Sequence, residues 1–244
     1  VPEPQTLAEQ KPSMLARLMA GIAQHAPDVT AGPVDNTPTP DDPGHPEYHR
    51  RQRAEFALSR WSTAAPYRYR QATATDPVVQ AWADHASIDI RSAGILVLHG
   101  NIGTGKTHQA YGALRRVAEA GPCNFHMIAT TAPDLYGLLR PGGSDKGSET
   151  ELKRLMRIPF LLLDDLGTEK LSEFTEEATY RIVNHRYNES LPLLITTNLP
   201  IKTGSPTPDL VTRLGDRLAS RLAQTATVVG FDGPDLRRGL RSVS

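Results

Sequence analysis

The sequence predicts an α/β fold, a central parallel sheet flanked by helices, with a separate helix and a flexible linker in front of it. Short apolar runs, Ile95 to His99, Phe160 to Leu163 and Leu193 to Thr196, alternate with longer stretches of helical period. Such alternation implies right-handed crossovers and parallel strands covered by helices on both faces. The three runs also end in glycine, carboxylate or other polar residues, at the sheet edge where open α/β sheets bind ligands.

Three regions differ in composition. Thr6 to His25 reads as a helix, with Leu7, Met14, Leu15, Leu18, Met19 and Ile22 near one face. Residues 26–46 are crowded with Pro, Asp, Gly and Thr, the composition of a linker. The expected organisation is therefore a docking helix over residues 1–25, a tether over 26–46 and a globular body over 47–244.

Within the body, Arg50 to Arg60 reads as a basic helix. A helix over Thr107 to Ala120 is closed by Gly121 and Pro122. A strand over Phe125 to Ala129 and a helix over Ala132 to Leu139 follow. Next come a Gly/Ser loop, a helix from Glu149 to Met156, and one from Thr175 to Tyr187. Pro208 to Leu222 reads as a single helix and Thr227 to Val229 as a last strand.

Composition narrows the function classes. Apolar residues make up 39% of the 244 and no run approaches the roughly 20 needed to span a membrane. Arg17 interrupts the apolar stretch Met14 to Ala23, so no secretory leader is expected, and the expected location is cytoplasmic. Cys123 is the only cysteine, expected to be a small buried side chain, which excludes a disulfide framework or cysteine zinc site within one chain. His45 and His49 are four apart, but Pro46 disfavours a helix through both, so no metal pair is expected. The formal charge of +0 argues against tight nucleic-acid binding by the chain alone, because phosphate neutralisation supplies most of that affinity.

The strongest signal is Gly100-Asn101-Ile102-Gly103-Thr104-Gly105-Lys106-Thr107, which fits G-x-x-x-x-G-K-[ST] between a strand and a helix. Gly100, Gly103 and Gly105 let successive backbone N–H groups turn inward at phosphate oxygens. The helix that follows, starting with Thr107 and His108, adds its positive end. Lys106 is expected at the β- and γ-phosphates of ATP and the Thr107 hydroxyl on magnesium. Asp164 and Asp165 close the run Phe160 to Leu163; Asp164 is expected to hold magnesium through water and Asp165 to orient or deprotonate the attacking water. Asp165 is one carbon shorter than a glutamate, so intrinsic hydrolysis is expected to be slow. Asn198, after Leu193 to Thr197, is placed to bond the γ-phosphate or the lytic water.

The order of these pieces, with Asp164 to Gly167, Arg186-Tyr187, Thr196 to Leu199 and Arg213 to Leu222, resembles the AAA+ ATPases of the DnaC type and their transposon relatives of the IstB type. The resemblance covers about Arg50 to Arg238. It implies an AAA+ P-loop fold in which Lys106 and Thr107 are Walker A, Asp164 and Asp165 Walker B, and Asn198 sensor 1. It further implies that Arg217 or Arg221, four apart on one helix face, reaches a neighbour's ATP, and that Arg237 is a sensor 2-like arginine. The implied partners are a hexameric replicative helicase, single-stranded DNA and further copies of the chain assembled through their ATP sites. Phe174, Tyr136 and basic residues near Lys170 are the DNA-contact candidates. The expected activity is loading a replicative helicase; regulation of DNA transposition and small-molecule phosphorylation by a P-loop kinase are the alternatives.

Overall fold

The computed structural model describes residues 14–25, 37–167, 172–203 and 208–237. The chain divides into two compact units between Thr39 and Pro40. In the first, helix α1 spans Met14–His25 and presents Met14, Leu18, Met19 and Ile22 as exposed side chains. The expected helical residues 6–13, and 26–36 of the expected linker, lie outside the described residues.

The second unit runs α2 (Pro46–Ala64), α3 (Pro77–Ile88), β1 (Ile95–Gly100), α4 (Lys106–Ala120), β2 (Met127–Thr131), α5 (Ala132–Leu139), α6 (Ser148–Arg157), β3 (Phe160–Asp164), α7 (Glu173–Asn188), β4 (Leu193–Thr197), α8 (Leu210–Leu214), α9 (Asp216–Thr225) and β5 (Ala226–Phe231). The five strands lie in the order β2-β3-β4-β1-β5, paired in parallel. This is the AAA+ P-loop arrangement that the resemblance implies. Among the described residues no helix is long and apolar enough to cross a membrane.

Side-chain alternation splits the core in two. Leu96, Leu98, Leu162 and Leu194 face one layer, with residues of α2, α3 and α4. Ile95, Val97, Leu161, Leu163 and Ile195 face the other, with residues of α5 to α9. Burial on both faces is why these strands read as continuous apolar runs rather than alternating ones.

Local chemistry sets the ends of the helices. Asp76 accepts from the Val78 and Val79 N–H groups at 2.8 and 3.1 Å ahead of Pro77, an N-cap followed by a residue already shaped for a first turn. Ser172 and Thr175 form a reciprocal capping box at α7. Gly121, at φ 69°, closes α4.

Several expectations need correction. The helix α3 is not among the predicted elements. The strand β2 begins at Met127 rather than Phe125, whose ring packs against Phe160 at 5.3 Å between centroids. The single helix expected over Pro208 to Leu222 is broken: Gly215, at φ 76° and ψ 157°, cannot continue α8, and α9 starts afresh. Pro46 does not prevent a helix but opens one, capped by His45, whose Nδ1 accepts from the Glu47 N–H at 3.1 Å. Cys123 is exposed, in the loop beyond Gly121, not buried.

At the amino edge of the sheet, Arg186 on α7 is fully buried. Its guanidinium donates to the carbonyls of Leu155, Met156, Ile158, Pro159 and Pro192. One side chain thereby ties the end of α6 to the starts of β3 and β4.

Candidate functional site

The parallel register brings the carboxyl ends of β1, β3 and β4 together, and the loop from Asn101 to Gly105 sits over them. Gly103 and Gly105 take φ of 83° and 95°, a region closed to most side chains. At Gly100, φ is 127° and an added Cβ would stand 2.3 Å from the Phe231 carbonyl oxygen, so β5 presses on the loop where only glycine fits.

Lys106 is nearly buried, and its Nζ donates to the carbonyls of Gly100 at 2.9 Å and Asn101 at 2.6 Å. Burial pushes its ammonium pKa down, while Asp165 and Asp164 pull it back up. The ammonium thus sits on the loop's own carbonyls, within a side-chain rotation of the cradle.

The two carboxylates take separate roles. Asp164 Oδ1 accepts from the Thr107 hydroxyl at 2.9 Å and the Thr196 hydroxyl at 2.5 Å. Burial pushes the Asp164 carboxyl pKa up, against the pull of these two donors. Asp165 sits at φ 57°, the left-handed region that aspartate tolerates better than most residues. Its N–H donates to Thr196 Oγ1 at 2.9 Å and its Oδ1 accepts from Asn198 Nδ2 at 3.3 Å. The left-handed turn aims the two neighbours apart, one at the start of α4 and the other at Asn198.

These groups suit a magnesium nucleotide. The Asp235 carboxylate packs against Gly103, where an added Cβ would stand 1.9 Å from its Oδ1, while the Thr107 hydroxyl and Asp164 carboxylate supply the hard oxygen atoms magnesium prefers. A cleft of about 460 Å³ opens above them, lined by residues 102–109, Asp165, Asn198, Arg68, Tyr69, Thr75, Leu236 and Arg237. The predicted residues Ile102, Gly103, Thr104, Gly105, Lys106, Thr107, His108, Asp165, Asn198 and Arg237 therefore share one cavity. Gly100, Asn101 and Asp164 are not among its lining residues.

Sequence reasoning missed the wall made by the segment before α3. The Thr73 N–H donates to His108 Nε2 at 3.3 Å, the Thr75 N–H to Gln109 Oε1 at 2.8 Å, and Gln109 Nε2 to Thr75 Oγ1 at 2.6 Å. Tyr69 stacks on Tyr111 with centroids 4.8 Å apart. A Cβ at Gly112 would stand 2.3 Å from the Ala74 nitrogen, so this helix glycine is the mark of the close approach. Opposite, the Leu236 N–H donates to the Gly103 carbonyl at 3.0 Å and brings Arg237 to the cleft.

Arg217 and Arg221 lie on α9, outside this cleft, and they are not equivalent. Arg217 is exposed. The Arg221 guanidinium lies over the rings of Tyr180 and Tyr187 at 5.3 and 5.8 Å and donates to the Arg217 carbonyl at 3.1 Å. Of the DNA candidates, Tyr136 is buried and its hydroxyl shares a 2.5 Å hydrogen bond with Thr179, so it is a core residue. Phe174 is 39% exposed, and Lys170 lies outside the described residues.

A family model described as IstB-like ATP binding protein matches residues 47–244. An insertion-sequence ATP-binding protein of Mycobacterium tuberculosis is 27% identical over 144 residues, 58% of this chain and 55% of that protein. The replicative helicase loader DnaI of Bacillus subtilis is 24% identical over 137 residues, 53% of this chain and 43% of that protein. The chain spans about half the length of the curated relatives it matches. Among solved structures, the DnaC helicase loader superposes with a TM-score of 0.56 at 24% identity, covering 68% of this chain and 100% of that one. A DnaI structure gives 0.52 at 21% identity, covering 74% and 92%. At these identities the likeness shows the fold. With the phosphate loop, the acidic pair and the sheet order in place, the chain belongs to the IstB-like ATP-binding proteins, within the DnaC/IstB-type AAA+ ATPases.

Proposed function

We propose that this chain hydrolyses ATP with magnesium, slowly alone and faster in an assembly, and uses that cycle to place a hexameric replicative helicase on single-stranded DNA. The observation that supports the chemistry is the joining of the phosphate-loop helix to the acidic pair, Thr107 to Asp164 and Asp165 to Asn198, at one mouth.

In this reading the N–H groups from Gly103 to Thr107 cradle the phosphates, and Lys106 leaves the Gly100 and Asn101 carbonyls for phosphate oxygens. Thr107 and Asp164 hold magnesium, which supplies charge neutralisation to the β- and γ-phosphates when bound. Asn198 orients Asp165, and the Asp165 carboxylate accepts the proton of the attacking water. Arg237 contacts the nucleotide from the same copy, and Arg217 comes from a neighbour. Arg68, Tyr69 and Leu236 form the wall for the nucleoside.

The segment 1–25, which contains α1, acts as the docking element, 26–46 as its tether and 47–244 as the ATPase. The exposed Met14, Leu18, Met19 and Ile22 support docking in an apolar groove of a partner. The likeness to the loader DnaI supports a helicase as that partner. A second reading, regulation of DNA transposition, draws support from the insertion-sequence relative. Capture experiments with the full chain separate the two. The loader reading expects a replicative helicase to be retained with ATP and lost when residues 1–25 are deleted. Retention of a transposase instead, indifferent to that deletion, contradicts it.

A further inference from the structure

We infer that the Asp235 carboxylate, held on the phosphate loop by the strap that follows β5, opposes the charge of a bound nucleoside phosphate and limits how tightly the cleft retains it. This rests on the ATPase reading above and adds a residue that sets the affinity of the same site.

The strap, residues 232–237, is stitched to the loop from both ends. The Asn101 N–H donates to the Phe231 carbonyl at 3.3 Å, where β5 ends, and the Leu236 N–H donates to the Gly103 carbonyl at 3.0 Å. Leu236 also covers Gly105, where an added Cβ would meet its side chain at 3.5 Å. Between these ties, the Asp235 carboxylate fills the space that a side chain at Gly103 would take. Its Oδ1 accepts from the Arg237 N–H at 3.0 Å, the two-residue turn that aspartate favours. One oxygen is thereby fixed against the loop and against the main chain of Arg237.

That place matters for an anion. The N–H groups from Gly103 to Thr107 and the amino end of α4 form the positive field that attracts phosphate. A carboxylate on the α-carbon of Gly103 draws on the same field and repels a second negative charge. Asp164 and Asp165 also stand near the loop, but on the β3 side, where magnesium and the attacking water use them. Asp235 comes from the β5 side and backs the loop rather than lining the cleft, whereas Arg237, two residues on, lines it. The strap therefore carries a cation that holds the nucleotide and an anion that loosens it. Near a protein surface, like charges several ångströms apart change affinity by about tenfold.

Competition against a fluorescent ATP analogue, with the full chain and magnesium, tests this. Asp235→Asn keeps the shape beside Gly103 and an oxygen for the Arg237 N–H, and removes only the charge. It should bind ATP about tenfold more tightly than the wild type, through slower dissociation. The gain should be smaller for AMP, which carries less charge, and should shrink as salt is raised. Should Asp235→Asn fail to fold, Asp235→Ser removes the same charge and gives the same reading. The inference is overturned if the folded variant binds ATP no more tightly than the wild type. It is also overturned if the gain is as large for AMP as for ATP, which would assign the effect to the shape of the strap. If neither folded protein binds ATP, the ATPase reading fails with it.

Discussion

Two charged groups, one buried and one half-buried, sit at opposite edges of the same sheet and behave differently. At the amino edge, Arg186 is enclosed and donates to five backbone carbonyls. Burial lowers its pKa to about 9, which still leaves it charged at neutral pH. At the carboxyl edge, Asp164 is half-buried with two hydroxyl donors on one oxygen, and loss of solvent outweighs them. The first charge closes the structure around itself. The second is held at a cost that the fold alone does not offset, as expected of a group kept for a ligand.

The largest effect that would break this contrast concerns Arg186. Arg186→Met should destabilise the fold by about 3–5 kcal/mol, because buried carbonyls lose their donors together. Chemical denaturation measures it, and a loss below about 1 kcal/mol would place Arg186 with ordinary surface residues.

Asp164→Asn should do the reverse. It keeps an oxygen for Thr107 and Thr196 but removes the half-buried charge, so the nucleotide-free protein should melt at a higher temperature while magnesium-dependent hydrolysis is lost. A variant that melts lower than the wild type would show that the charge stabilises the fold after all.

The pH dependence sharpens the same point. The folded carboxyl pKa of Asp164 is raised above the ordinary 3.8, so the stability linked to its neutral form is present below 3.8 and lost as pH rises through the folded value. The advantage of Asp164→Asn in melting temperature should therefore be full near neutral pH and shrink as pH falls toward 3.8. An advantage that grows in acid would reverse the sign of the account.

The smallest expected effect separates two arginines. Arg221→Ala removes a cation that lies over the Tyr180 and Tyr187 rings and should cost about 1 kcal/mol of stability. Arg217→Ala should leave stability unchanged and lower only the turnover that depends on protein concentration. Equal behaviour of the two variants would mean that the contacts of Arg221 with the two tyrosine rings are incidental.

Legibility in the sequence followed the range of the interactions. The phosphate loop, the acidic pair and Asn198 were readable because each is a local pattern at a strand end, and parallel register then brings the ends together. The wall made by Thr73 and Thr75 was not, since its bonds to His108 and Gln109 span more than thirty residues. Tyr136 looked available for DNA because nothing nearby in sequence announces Thr179 as its partner. The helix α3 carries both a start signal in Asp76-Pro77 and an apolar stripe at Val79, Trp82, Ala83 and Ala86. Its existence is legible in the sequence even though it is not among the predicted elements. Gly215 was visible, but only its backbone angles show that it breaks a helix.

The central claim is that the loop from Gly100 to Thr107, with Lys106 turned from its carbonyls to phosphate, is the ATP site. Calorimetric titration of ATP with magnesium into wild type and Lys106→Ala tests it most directly. The account predicts measurable affinity in the wild type and a loss of about tenfold to a hundredfold in the variant, the worth of a charged hydrogen bond. Equal affinity in the two, with both proteins folded, would contradict it.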